Sequence, residues 1–145
     1  QATCAIPIMF PVIHLNGTPY LDGGCADAIP WRRAMEMGCD RVVVVLTRER
    51  TYQKVSDRTL SLIRKRFVKY PRFVETMEHR AERYNQSREE LFALEREGTV
   101  IVIAPESTEG FSRTERDVKK IRALWQDGYF AGRRAAEQVR SFWGE

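Results

Sequence analysis

Histidine and cysteine are scarce in this chain: two histidines, His14 and His79, and three cysteines, Cys4, Cys25 and Cys39, among 145 residues. They do not stand at the close paired spacings of a zinc site, so no metal is expected. An odd, sparse cysteine count does not build a disulfide framework and points to a reducing, cytoplasmic setting. No apolar run approaches the roughly 20 residues that a membrane-spanning helix needs. No signal peptide is recognisable. Aromatic and basic residues do not interleave as on a nucleic-acid surface, so no nucleic-acid partner is expected. There is no internal repeat, no low-complexity linker and no obvious nucleophile, and no cofactor is expected.

What is present is the composition of an ordinary folded domain: 43% apolar and 30% charged residues. The formal net charge of +4 permits weak attraction to an anionic membrane surface or to nucleic acid without demanding either. The short basic clusters Arg64-Lys65-Arg66 and Lys119-Lys120 lie in helical patterns and read as solvated faces. The chain opens on Gln1 rather than Met, within what reads as packed structure. It is therefore expected to be a piece of a longer polypeptide.

Along the chain, residues 12–15 and 18–21 are short apolar stretches joined by Asn16-Gly17, a dipeptide suited to the positive φ angles of a type I′ hairpin turn. Pro19 cannot donate to a ladder and belongs on an edge. Pro30 opens a helix that stops at Gly38. Residues 41–47, with four consecutive valines, read as a strand buried on both faces in a parallel sheet. Ser56 or Asp57 can cap a helix carrying Leu60, Ile63 and Phe67. Pro71 begins another with Phe73, Val74, Met77 and Ala81. Ser87-Arg88-Glu89-Glu90 fits a capping box for a third helix ending at Gly98. Residues 99–104 form a second buried-strand run. Ser112-Arg113-Thr114-Glu115 is another capping box, opening a long helix with Val118, Ile121, Trp125, Ala136, Val139 and Phe142 near one stripe. Gly128 and Gly132 inside that helix read as close packing or a local break, with a backbone surface facing a ligand as the sharper alternative.

The feature with most chemical content is Asp22-Gly23-Gly24, at the end of the second hairpin stretch. Glycines let the chain turn sharply and approach a ligand closely. A carboxylate held on such a turn can act as a general base. An Asx-turn or capping role is the bland alternative for an Asp-Gly site.

Several features stand in one order: Ala2-Thr3-Cys4-Ala5-Ile6-Pro7, then Phe10-Pro11, the hairpin, Asp22-Gly23-Gly24, Asp27-Ala28-Ile29-Pro30 and the valine strand. This order resembles the second half of the patatin-like phospholipase domain. Farther on, Pro71, Tyr84-Asn85, the run Val100-Ile101-Val102-Ile103-Ala104-Pro105, Arg113 and Gly128-Tyr129 resemble the tail of a bacterial subgroup of that family. The resemblance implies an α/β fold of three layers, a mainly parallel sheet covered by helices, of which this chain is the C-terminal portion. Residues 1–50 would close the catalytic domain, and residues 51–145 would extend it, with a soft boundary near 48–53. It implies a serine acyl hydrolase that cleaves carboxylic esters of phospholipids or other lipids through a Ser–Asp dyad, without histidine or metal. Asp22 would be the base, and Gly23 and Gly24 would support the turn that aims it. The family's G-x-S-x-G elbow and its glycine-rich oxyanion loop are absent from this sequence. Gly110-Phe111-Ser112-Arg113-Thr114 is the nearest approximation, and Ser112 reads better as a helix cap. The chain alone is expected to be inert.

Other residues have plainer readings. Asp27 reads as a cap, Cys25 as packing, His14 and His79 as exposed or partly exposed, and Arg113 as surface or capping rather than a phosphate ligand. Trp125, Tyr129 and Phe130 read as core rather than an acyl-chain pocket. A rival reading makes the chain an interaction module, in which residues 56–97 bind a partner or a membrane surface. Half a sheet without its neighbours exposes apolar edges, so dimerisation or aggregation is expected.

Overall fold

A computed structural model describes residues 2–112 and 114–144. The chain is mixed α/β, with two small sheets of two strands each. In chain order the elements are β1 (Ile13–Leu15), β2 (Thr18–Tyr20), α1 (Trp31–Glu36), β3 (Val42–Val45), α2 (Leu60–Arg66), α3 (Pro71–Glu78), α4 (Arg80–Arg96), β4 (Val100–Ile103) and α5 (Val118–Trp143), with short 3-10 turns at Ala2–Cys4 and Gly23–Cys25. Two compact units form: residues up to Pro30 with Gln53–Glu89, and Trp31–Tyr52 with the chain from Glu90 onward. Among the described residues no helix is long and apolar enough to cross a membrane.

In the first unit the β1–β2 hairpin pairs Ile13 with Tyr20 and Leu15 with Thr18. Asn16 and Gly17 both hold positive φ, 51° and 79°, as a type I′ turn requires. The core gathers Cys25, Ile63, Phe67 and Met77, with Leu21, Phe73 and Val74 packed against them. Burying side chains of this size stabilises by about 1.5–3 kcal/mol each. The rings of Phe67 and Phe73 lie tilted at 4.8 Å. Asn85 accepts the Lys54 N–H at 2.8 Å and donates to its carbonyl at 2.9 Å, so one side chain satisfies a loop residue's backbone. The start of α2 differs from the sequence expectation. Thr59 occupies the cap position without a capping bond from its own side chain. Asp57 instead accepts the Thr59 N–H at 2.9 Å in an Asx-type turn.

In the second unit β3 and β4 pair in parallel, Val42 with Val100 through Val45 with Ile103. Helix α1 packs on β3 and α5 on β4. The expected burial of the valine strand on both faces is not found: Val44 is buried, whereas Val45 is 69% exposed. Successive side chains point to opposite faces of a strand, and here one face is left open at Val45. Nor is the sheet broad. Val102 directs its N–H to Glu95 Oε1 at 3.2 Å, and its carbonyl accepts from Arg50 at 2.8 Å. Arg50 and Glu95 meet each other through two bonds of 2.6 Å. A bidentate ion pair thus occupies the place where a third strand would bond at Val102.

Two capping boxes are corrected. Ser87 does not begin a helix; it lies buried inside α4, which runs without glycine or proline from Arg80 to Arg96. Helix α5 starts at Val118, where Asp117 accepts the Lys119 N–H, rather than at Ser112. Ser112 accepts from Thr114 instead, and Arg113 lies outside the described residues. The stops at Gly38 and Gly98 hold, both at positive φ. Gly128 and Gly132 neither break α5 nor pack closely, since a Cβ at either position would meet nothing within 4 Å.

The hydrogen bonds from Arg50 hold the Glu95 carboxyl below the ordinary glutamate value, against the opposing effect of its partial burial. A lowered value means stability that is complete above the ordinary glutamate range and lost as pH falls through the folded-state value. Thermal unfolding should therefore show a midpoint that drops on acidification below about pH 4, and Glu95→Gln should flatten that dependence. At neutral pH the same substitution should cost about 1 kcal/mol in denaturant unfolding. Gly132→Ala should stabilise by about 1 kcal/mol in the same assay, through helix propensity alone.

Candidate functional site

The Asp22 turn is built from the first unit's core outward. Leu21 packs against the apolar cluster and Cys25 belongs to it, so the residues on both sides of the turn are anchored. Asp22 has extended backbone (φ −52°, ψ 126°) and caps the 3-10 turn Gly23–Cys25. Its Oδ1 accepts the Gly24 N–H at 2.7 Å. Its own N–H donates to the Ala5 carbonyl at 3.1 Å. The small-residue segment at 2–7 and the Asp-Gly-Gly motif, separate in sequence, are therefore joined by a backbone hydrogen bond. Ala5 is buried, 3% exposed, while Asp22 is half-buried. Among the described residues no cation pairs with Asp22 and Oδ2 makes no hydrogen bond. One carboxylate oxygen is held by the turn.

The two glycines are not equivalent. Neither has positive φ, so left-handed backbone is not the reason for them. A Cβ on Gly24 would stand 3.0 Å from Asp22 Oδ1, and a Cβ on Gly23 would meet nothing within 4 Å. The carboxylate thus lies close against Gly24, where a side chain would crowd it. The sequence reading missed Arg80, whose Nε donates to the Gly24 carbonyl at 2.9 Å and whose guanidinium stands 4.0 Å from Asp57. An arginine at the start of a helix reads as solvated, and no local pattern distinguishes this one.

The remaining expectations divide. Cys25 packs in the core, His14 is exposed, and exposed His79 ends α3 with Nδ1 3.4 Å from Glu82. Trp125, Tyr129 and Phe130 are not core; they are 67%, 49% and 55% exposed. Leu60 and Ile63 of α2 and Phe73, Val74 and Met77 of α3 pack in their own unit's core, while Leu62 of α2 is exposed.

The second unit holds an apolar cavity of about 220 Å³ at the C-terminal ends of β3 and β4, lined by Leu46, Thr47, Ala104, Leu124, Gly128 and neighbouring residues. The C-terminal ends of parallel strands are where open α/β sheets commonly bind ligands. Beyond β3, buried Thr108 donates its hydroxyl to Glu49 and its N–H at 3.0 Å, while Arg48 donates to the same hydroxyl at 2.7 Å. The Thr108 hydroxyl is the main cause holding Glu49 below the ordinary glutamate value. Among the described residues no group of three His, Cys, Asp or Glu side chains could hold a metal ion.

Gly24→Ala should displace the Asp22 carboxylate and destabilise by about 1 kcal/mol, the scale of one net hydrogen bond, whereas Gly23→Ala should stay within about 0.5 kcal/mol of the parent. Paired denaturant titrations check the difference.

No curated protein matches the chain. Residues 70–144 match the family model described as Domain of unknown function (DUF6363), a match over half of the chain, and the chain belongs to that family.

Proposed function

We propose that this chain is the C-terminal part of a patatin-like acyl hydrolase, acting on carboxylic esters of phospholipids or other lipids. The observation that carries the reading is the Asp22 turn: a half-buried carboxylate with one oxygen fixed by the Gly24 amide and the other without a partner, tied through Ala5 to the small-residue segment. The order of motifs over residues 2–47 supports it. In this reading β3 and β4 belong to a larger, mainly parallel sheet between helical layers. The serine and the oxyanion donors come from polypeptide outside these 145 residues.

A serine hydroxyl is a poor nucleophile until a base takes its proton. Asp22 Oδ2 would accept that proton as the serine oxygen bonds to the ester carbonyl carbon. The alcohol would then leave with the proton from Asp22, and an acyl-serine would remain. Water would attack next, losing its proton to Asp22, and the serine oxygen would leave with that proton as the fatty acid is released. Gly24 and Arg80 would fix the turn, and through it the direction of Oδ2.

In the polypeptide that carries the serine, Asp22→Asn should lower ester turnover by about 10²–10⁴-fold with an unchanged circular dichroism spectrum. Retention of most activity would refute the assignment. The 145-residue chain alone should neither hydrolyse p-nitrophenyl butyrate nor take a fluorophosphonate label.

A further inference from the structure

Helix α5 has two apolar faces, and the second unit covers one of them. Leu124, Ala131, Ala135, Val139 and Phe142 lie on the buried or half-buried side. At its far end Arg41 donates to the Phe142 carbonyl and lies over the Phe142 ring at 5.6 Å. The adjoining stripe of Val118, Ile121, Trp125, Tyr129 and Trp143 is exposed. Trp125 and Tyr129 stack on each other at 5.7 Å, and Phe130 meets Tyr129 edge-on.

Charge follows the same helix. It holds six Lys and Arg residues against two acidic ones, of 24 and 20 in the whole chain, which leaves eighteen of each sign elsewhere. The entire basic excess of the chain therefore sits on α5. Its distribution is one-sided. Arg122 and Arg133 stand four residues beyond the stripe positions Val118 and Tyr129, and Arg140 stands three before Trp143, so all three border the stripe. Among the described residues no carboxylate pairs with these three. Lys120 and Arg134, farther round the helix, are paired with Glu115 and Glu106.

We infer that this face of α5 is a docking surface for an anionic lipid bilayer. Trp125 and Tyr129 enter the headgroup boundary, while Arg122, Arg133 and Arg140 meet lipid phosphates. An apolar stripe with aromatic rings and a basic border is the pattern of a helix that lies in a membrane interface. A second copy of the chain fits less well. Stripe against stripe would bring a basic border against another surface of net positive charge, which repels.

The test is sedimentation of the 145-residue chain with vesicles of mixed phosphatidylglycerol and phosphatidylcholine, against vesicles of phosphatidylcholine alone. Binding to the anionic vesicles is expected, with a blue shift of tryptophan emission. It should fade between low and high salt, as screened attraction does. Replacing Arg122, Arg133 and Arg140 by Gln should weaken it by about fivefold per arginine. Trp125→Ser with Tyr129→Ser should abolish both binding and blue shift. These side chains are exposed, so circular dichroism and the unfolding midpoint should stay unchanged. Equal binding to neutral vesicles, or none to anionic ones, overturns the inference. So does a dimer that the Trp125→Ser, Tyr129→Ser pair dissolves without altering vesicle binding. Vesicle binding is read without turnover and without Asp22, so it stands or falls separately from ester hydrolysis.

Discussion

The ion pair between Arg50 and Glu95 is the constraint on which the second unit's architecture turns. A strand paired on one side only presents unpaired N–H and C=O groups to whatever comes next. At Val102 those groups are already bonded, one to each member of the pair. The pair also ties together three parts of the unit: the loop after β3, the end of α4 and the middle of β4. Parallel strands need a long crossover between them. Here that crossover contains α2, α3 and the first part of α4, segments that build a core of their own. In this two-stranded parallel sheet one face is open at Val45, and the β4 edge is closed at Val102 by side chains.

The Asp22 turn illustrates a different economy. Its carboxylate is oriented by a backbone amide, and among the described residues no cation pairs with it. A Cβ at residue 24 would stand 3.0 Å from Oδ1, so the glycine lets the amide approach without crowding the carboxylate. Capping and the proposed role as a base are compatible at this site. Oδ1 serves the turn and Oδ2 is left over, so the structural role fixes the geometry on which the chemical role would depend.

Helix α5 shows why periodicity alone did not identify a buried face. A stripe at helical spacing says that residues share a side, not which neighbour they meet. Two such stripes overlap here, and the one rich in aromatics is on the solvent side. The clustering of arginines along its border is legible in the sequence once the helix is known to be continuous, but the pairing of Lys120 and Arg134 with carboxylates is not. The opposite error occurred in α4, where Ser87 and Glu90 stand at the spacing of a capping box inside an uninterrupted helix. Local sequence proposes such a box, and only a break in the backbone makes one.

By itself the sequence determined what depends on φ preference and short-range pattern. The Asn16-Gly17 turn, the stops at Gly38 and Gly98, the two strand runs and the helices opened by proline all follow from backbone sterics within a few residues. It also singled out Asp22 and its glycines, and the structure adds that a Cβ at Gly24 would crowd the Asp22 carboxylate. Tertiary structure decided everything that requires knowing what lies across a gap. Four identical valines carry no alternation, so only packing distinguishes Val44 from Val45. Arg50 and Glu95 are 45 residues apart, and Ala5 and Asp22 meet only because the hairpin returns the chain. Such contacts depend on how elements are brought together, and no local propensity records that.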